Sequence, residues 1–112
     1  MKNNTLYIVD IQPHSNHHVR FSSADDMQVV HFNGAGQVLK HPAAASLLLV
    51  DAELPDMALP DFVARYHQLH PQTQIIVMVD AHQSQQASEA LRLGAIDYLQ
   101  KPFTPAQLRQ VI

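Results

Sequence analysis

The sequence predicts an α/β domain built on a parallel sheet with helices packed over it. Three observations lead there. The apolar runs are short, continuous and rich in branched residues, as strands buried on both faces are. Three of them stop abruptly at an aspartate: Leu6-Tyr7-Ile8-Val9 at Asp10, Leu47-Leu48-Leu49-Val50 at Asp51, and Ile75-Ile76-Val77-Met78-Val79 at Asp80. Helix-like segments lie between them, so strand and helix alternate.

In chain order, the first strand is Leu6–Val9. His14 to Ala24 follows with few good helix formers. Gln28 to Phe32 reads as a weaker strand. Gly34-Ala35-Gly36 is a turn that uses permissive glycines, and Ala35 to Lys40 is a short helix candidate cut off by Pro42. After the strand at Leu47–Val50, Asp61 to His70 sets Phe62, Val63, Tyr66 and Leu69 on one helical face, with Pro60 near its start. Beyond Ile75–Val79, Ser84 to Leu93 has a cap candidate in Ser84, apolar Ala87, Ala90 and Leu91, and a stop at Gly94. Tyr98-Leu99 is a short last strand. Thr104-Pro105-Ala106-Gln107 is a helix start, with a cap, a first-turn proline and a capping-box glutamine.

Composition bounds the function. At 112 residues the chain is one domain, and a hydrophobic fraction of 46% is ordinary for a globular core. The absence of cysteine excludes a disulfide scaffold, a thiolate zinc site and a cysteine nucleophile. No apolar run is long enough to span a membrane, and the first residues lack a signal-peptide core. A net charge of −3 argues against direct nucleic-acid binding by this domain. A cytoplasmic location is the expectation.

The aspartates carry the chemistry. Ligands of open parallel sheets bind beyond the carboxyl ends of the strands. Asp10, Asp51 and Asp80 follow strands and are expected on one edge, with Lys101 after the last strand. Carboxylates gathered there repel one another unless a cation offsets them. Their oxygens suit a hard ion such as Mg²⁺, and a carboxylate beside a metal and a lysine can accept a phosphoryl group. The bland alternative is that each aspartate forms a turn or a helix cap.

These residues and the tail resemble the receiver domain of bacterial two-component response regulators. Leu49-Val50-Asp51-Ala52-Glu53-Leu54-Pro55-Asp56-Met57 is similar to its phosphorylation strand and loop. Ile75 to His82 is similar to its fourth strand, and Ala90 to Phe103, ending in Lys101-Pro102-Phe103, is similar to its closing pattern. The resemblance implies a doubly wound, flavodoxin-like sheet of five parallel strands in order 2-1-3-4-5 with five helices. It implies Asp51 as phosphoacceptor, Lys101 as the phosphoryl-contacting lysine, and Mg²⁺ held by Asp10, Asp51 and the Glu53 backbone carbonyl. Tyr98 matches an aromatic that changes rotamer. The implied partners are a sensor histidine kinase or phosphotransfer protein, the chain's own output domain and a second copy in a homodimer. The domain, residues 1–112, is then expected to be the front of a longer regulator and not a turnover enzyme.

Two positions depart from the family pattern. Ile11 stands where a second acid is usual and cannot bind a metal. Asp80 stands where Thr or Ser donates to the phosphoryl group, and an ionised carboxylate only accepts. The charge of the constellation is unchanged at −2, because Asp10, Asp51 and Asp80 against Lys101 replace three acids and a lysine. Asp80 is therefore expected to pair with Lys101. Two readings stay open: a degenerate receiver acting as a regulatory or dimerisation module, and a working Mg²⁺-dependent phosphoacceptor.

Other signals are weaker. Gly34-Ala35-Gly36 lacks the third glycine of a dinucleotide turn, with Leu39 in its place. None of the 8 histidines falls at a recognised metal-ligand spacing with a carboxylate. Asp51-Ala52-Glu53 lacks the second aspartate of an aspartyl-phosphate phosphatase.

Overall fold

The computed structural model describes residues 5–9, 28–101, 106–107 and 110. Five parallel strands form one sheet in the order β2-β1-β3-β4-β5: β1 (Thr5–Val9), β2 (Gln28–Phe32), β3 (Leu47–Asp51), β4 (Gln74–Val79) and β5 (Asp97–Gln100). Three helices lie among the described residues between them: α1 (Ala35–Lys40), α2 (Leu59–Leu69) and α3 (Ser84–Leu93). Ala106, Gln107 and Gln110 are helical beyond β5. The expected helix at His14 to Ala24 and the capped start at Thr104-Pro105 lie outside the described residues.

The continuous apolar runs are explained by alternation across the sheet. Successive side chains of a strand point to opposite faces. On one face, Tyr7, Val9, Leu48, Val50, Ile75, Val77 and Val79 pack with Ala35 and Val38 of α1, Leu59, Phe62, Val63 and Tyr66 of α2, and Ala87 and Ala90 of α3. On the other, Leu6, Ile8, Leu47, Leu49, Ile76, Met78 and Leu99 form a second buried cluster. Both faces are apolar, so no polar position interrupts the run.

The helices show what periodicity missed. α2 begins at Leu59, ahead of the expected Asp61, because Leu59 is buried and Pro60 fits the first turn. Its expected apolar face is narrower than the sequence implies, since Leu69 is 54% exposed. Leu91, read as part of the α3 face, is also exposed. Ser84 does not cap α3. A 3₁₀ turn, Ala81–Gln83, precedes the helix, and Asp80 caps that turn instead.

Gly94 ends α3 as expected, at φ 137°, a conformation L side chains rarely adopt. A Cβ there would lie 2.7 Å from His67 Cγ, so the glycine also lets α2 and α3 approach.

The weakest helix candidate, α1, forms without a cap side chain of its own. Asp56, from the loop after β3, supplies one from outside. Its carboxylate accepts the Ala35 N–H at 2.9 Å and the Gly36 N–H at 2.8 Å. Those bonds, Gly36 first and then Ala35, hold the Asp56 carboxyl below the usual carboxylate range. The Gly34-Ala35-Gly36 turn is thus filled by the chain's own carboxylate. A Cβ on either glycine would come within 3.2 Å of Asp56 Oδ2.

Candidate functional site

The carboxyl ends of the central strands build the site. Strand order reverses at β1, so the switch point, where open α/β sheets bind ligands, lies between β1 and β3. Val9 pairs with Val50, the residue before Asp51. Asp10 follows Val9 in the chain and lies outside the described residues. Asp51 is the last residue of β3 and pairs in register with Met78 of β4.

Asp51 is 4% exposed, and burying a carboxylate is costly unless it is paired. Lys101 Nζ donates to Asp51 Oδ2 at 2.7 Å, and the Glu53 N–H donates to Oδ1 at 2.9 Å. Lys101 reaches this position because the sheet extends one step past β5. Val79 pairs with Gln100, and the Lys101 N–H donates to the Val79 carbonyl at 2.7 Å. The lysine therefore spans the end of β4 to reach a carboxylate on β3.

Asp80 sits between these two groups, just past β4, and pairs with neither. Its carboxylate accepts the Gln83 N–H, and its own N–H donates to Gln83 Oε1 at 2.7 Å. This reciprocal capping box satisfies two backbone donors at the start of the turn. The expected Asp80–Lys101 pair is not what the structure has. The charge count overlooked two nearby acceptors of different quality: Asp51 is buried and offers Lys101 a less hydrated partner, while Asp80 is half-buried and already holds a cap.

The structure thus brings Asp51, Lys101 and Asp80 to one edge. Glu53 is also there, with an exposed side chain and its backbone against Asp51. Tyr98 lies on β5 and is 44% exposed. Among the described residues no group of three His, Cys, Asp or Glu side chains is arranged to hold a metal ion. The donors that are present, the Asp51 carboxylate and the Glu53 carbonyl, are hard oxygens of the kind Mg²⁺ takes.

Two residues of this edge escaped the sequence reading. Gln83 could have been found, since Asp80-Ala81-His82-Gln83 has capping-box spacing. Asp56 carried no such signal, because its partners are far away in the chain.

Comparison with known proteins agrees with this architecture. The sequence matches the family of the response regulator receiver domain over residues 7–112. It is 36% identical over 66 residues to the response regulator protein PilR of Pseudomonas aeruginosa, covering 59% of this chain and 15% of that protein. It is 36% identical over 72 residues to the transcriptional regulatory protein CitT of Bacillus subtilis, covering 61% of this chain and 30% of that protein. Full-length FixJ from B. japonicum superposes with a TM-score of 0.86 at 22% identity, over 100% of this chain and 57% of that one. A CheY-like receiver domain protein from Methanospirillum hungatei superposes with a TM-score of 0.80 at 22% identity, over 97% and 90%. The matched stretch is thus a minor part of both curated relatives. With its sheet order, its strand-end aspartate and its lysine after β5, the chain belongs to the response regulator receiver domain family.

Proposed function

We propose that this receiver domain works in two-component signalling as a regulatory module whose Asp51 accepts a phosphoryl group poorly or not at all. Receiver domains are regulatory parts of two-component systems, and they work with histidine kinases and output domains. The observation that carries the impaired reading is Asp80. At the end of β4, beside Asp51, it offers a carboxylate committed to a helix cap. It supplies no donor to a phosphoryl oxygen, and its charge repels one. The expected partners are a sensor kinase or phosphotransfer protein, an output domain in the same polypeptide and a second copy of the chain.

A second reading has an observation of its own. The Lys101–Asp51 pair at 2.7 Å is the geometry a phosphoacceptor needs, with a cation in place to offset charge on the product. In that reading Asp51 is the phosphorylated residue. Asp10, Asp51 and the Glu53 carbonyl would hold Mg²⁺, while Ile11 contributes no ligand. Bound Mg²⁺ would neutralise the phosphoryl oxygens as charge shifts. This chain's own part is that Asp51 Oδ attacks the donor's phosphorus as the bond from phosphorus to the leaving group breaks, releasing acetate when acetyl phosphate is the donor, and that Lys101 holds the transferred phosphoryl group.

Incubation with acetyl phosphate and Mg²⁺, followed by intact mass, separates the two readings, with Asp51→Asn as control. The module reading expects little or no adduct in wild type. Asp80→Thr with Ile11→Asp should then raise the rate of adduct formation about ten-fold or more, the scale on which a transition-state donor acts. A rapid wild-type adduct, lost in Asp51→Asn, would establish the phosphoacceptor instead.

A further inference from the structure

The position of Asp80 raises a problem that the structure itself resolves. Lys101 follows β5, Asp51 ends β3, and Asp80 follows the strand between them. In sheet register Asp80 is the nearer acid: the Lys101 N–H is bonded to Val79, the residue just before Asp80, whereas Asp51 pairs with Met78. Two carboxylates therefore compete for one ammonium, and the one a strand further away holds it at 2.7 Å.

What occupies Asp80 is Gln83. Gln83 is 5% exposed, one of the few buried polar residues among those described. Its Oε1 accepts the Asp80 N–H at 2.7 Å, and its own N–H donates to the Asp80 carboxylate. The same N–H is 2.9 Å from the Asp80 carbonyl, so the turn closes tightly on Asp80. A carboxylate that accepts a backbone N–H at a helix start also gains from the helix dipole. The Gln83 side chain closes the turn through the Asp80 N–H, and the closed turn presents the Gln83 N–H to the Asp80 carboxylate.

We infer that Gln83 is a positioning residue for the Asp51 site: by locking Asp80 into the cap, it leaves Lys101 to Asp51. This rests on the reading of Asp51 and Lys101 as the receiver's working pair. It concerns which acid holds the lysine, not whether phosphate is accepted.

The test reads the partner of Lys101 directly. In unphosphorylated, metal-free protein at neutral pH, the hydrogen-bond scalar coupling from Lys101 ¹⁵Nζ to a carboxyl ¹³Cγ identifies that partner. Wild type should show the coupling to Asp51. Gln83→Met keeps the buried volume and removes the acceptor, and it should lose this coupling and gain one to Asp80. Gln83→Met with Asp80→Asn should restore the coupling to Asp51. A merely structural glutamine would lower the Tm of Gln83→Met without moving the lysine. Gln83→Asn, too short to reach the Asp80 N–H, is the second variant should the first not fold. Lys101 still coupled to Asp51 in a folded single variant, or coupled to neither acid, overturns the inference. Because no phosphoryl group is involved, failure of the phosphorylation reading and failure of this one are separable.

Discussion

At the scale of single residues, most buried polar side chains among the described residues find a partner, and one does not. Asp51, Thr73 and Gln83 are buried and hydrogen-bonded, with Thr73 Oγ1 donating to the Ala45 carbonyl at 2.6 Å. The Tyr66 ring is fully buried, and its hydroxyl has no partner among the described residues. It lies beside Thr73 and the Ala45 backbone, which are bonded to each other. Burial pushes the Tyr66 hydroxyl above the usual tyrosine range. A buried unpaired hydroxyl carries its desolvation cost with no return, whereas the ring packs. Tyr66→Phe should therefore leave stability unchanged or raise it by up to about 1 kcal/mol, read as a denaturant midpoint at constant slope. A loss above that size would show that the hydroxyl has a partner in solution.

At the scale of elements, two joints hold the helices in place. The first is the close approach of α2 and α3 at Gly94. Gly94→Ala adds a Cβ at a positive φ and sets it against His67, so a loss of about 1–3 kcal/mol is expected. His67→Ala in the same background should recover only part of it, because the backbone conformation stays unfavourable. Full recovery would place the whole cost in the side-chain contact. The second joint is Asp56 on α1. Asp56→Ala removes an N-cap and should cost about 1 kcal/mol, measured by thermal unfolding at neutral pH. The pH dependence has a definite sign. The folded Asp56 carboxyl lies below its unfolded value, so its contribution is present above the unfolded value, near pH 4, and is lost as pH falls through the folded one. Wild type and Asp56→Ala should differ at pH 7 and converge in that acid range; a difference that persists there would exclude the carboxylate as the cause.

At the scale of the whole molecule, the sheet has two buried faces and depends on both. Leu48 belongs to the cluster beneath α1, α2 and α3, and Leu49 to the opposite cluster. Both are 0% exposed. Leu48→Ala and Leu49→Ala should each cost about 2–5 kcal/mol in urea unfolding. A negligible loss at Leu49 would mean that the second face is not packed in solution. No helix among the described residues is long and apolar enough to cross a membrane.

Much of this was legible in the sequence, because it depends on local pattern. Continuous branched runs require strands buried on both faces, so β1, β3 and β4 appear within a residue of where the pattern places them, and β2 where it was read. An aspartate ending such a run is carried to the strand's carboxyl edge, which brought Asp51, Asp80 and, past β5, Lys101 together. Gly94 could be read as a stop because it needs a backbone conformation closed to other residues. Partner choice was not legible. Charge arithmetic alone paired Lys101 with Asp80, but the outcome depended on burial of Asp51 and on the Gln83 cap. Propensity marked α1 at Ala35–Lys40 only weakly, because its N-terminus is satisfied from outside, by Asp56 in the loop after β3. Pattern determines which residues reach the edge; competition among hydrogen-bond partners there is a matter of distance and desolvation, and only the folded chain sets those.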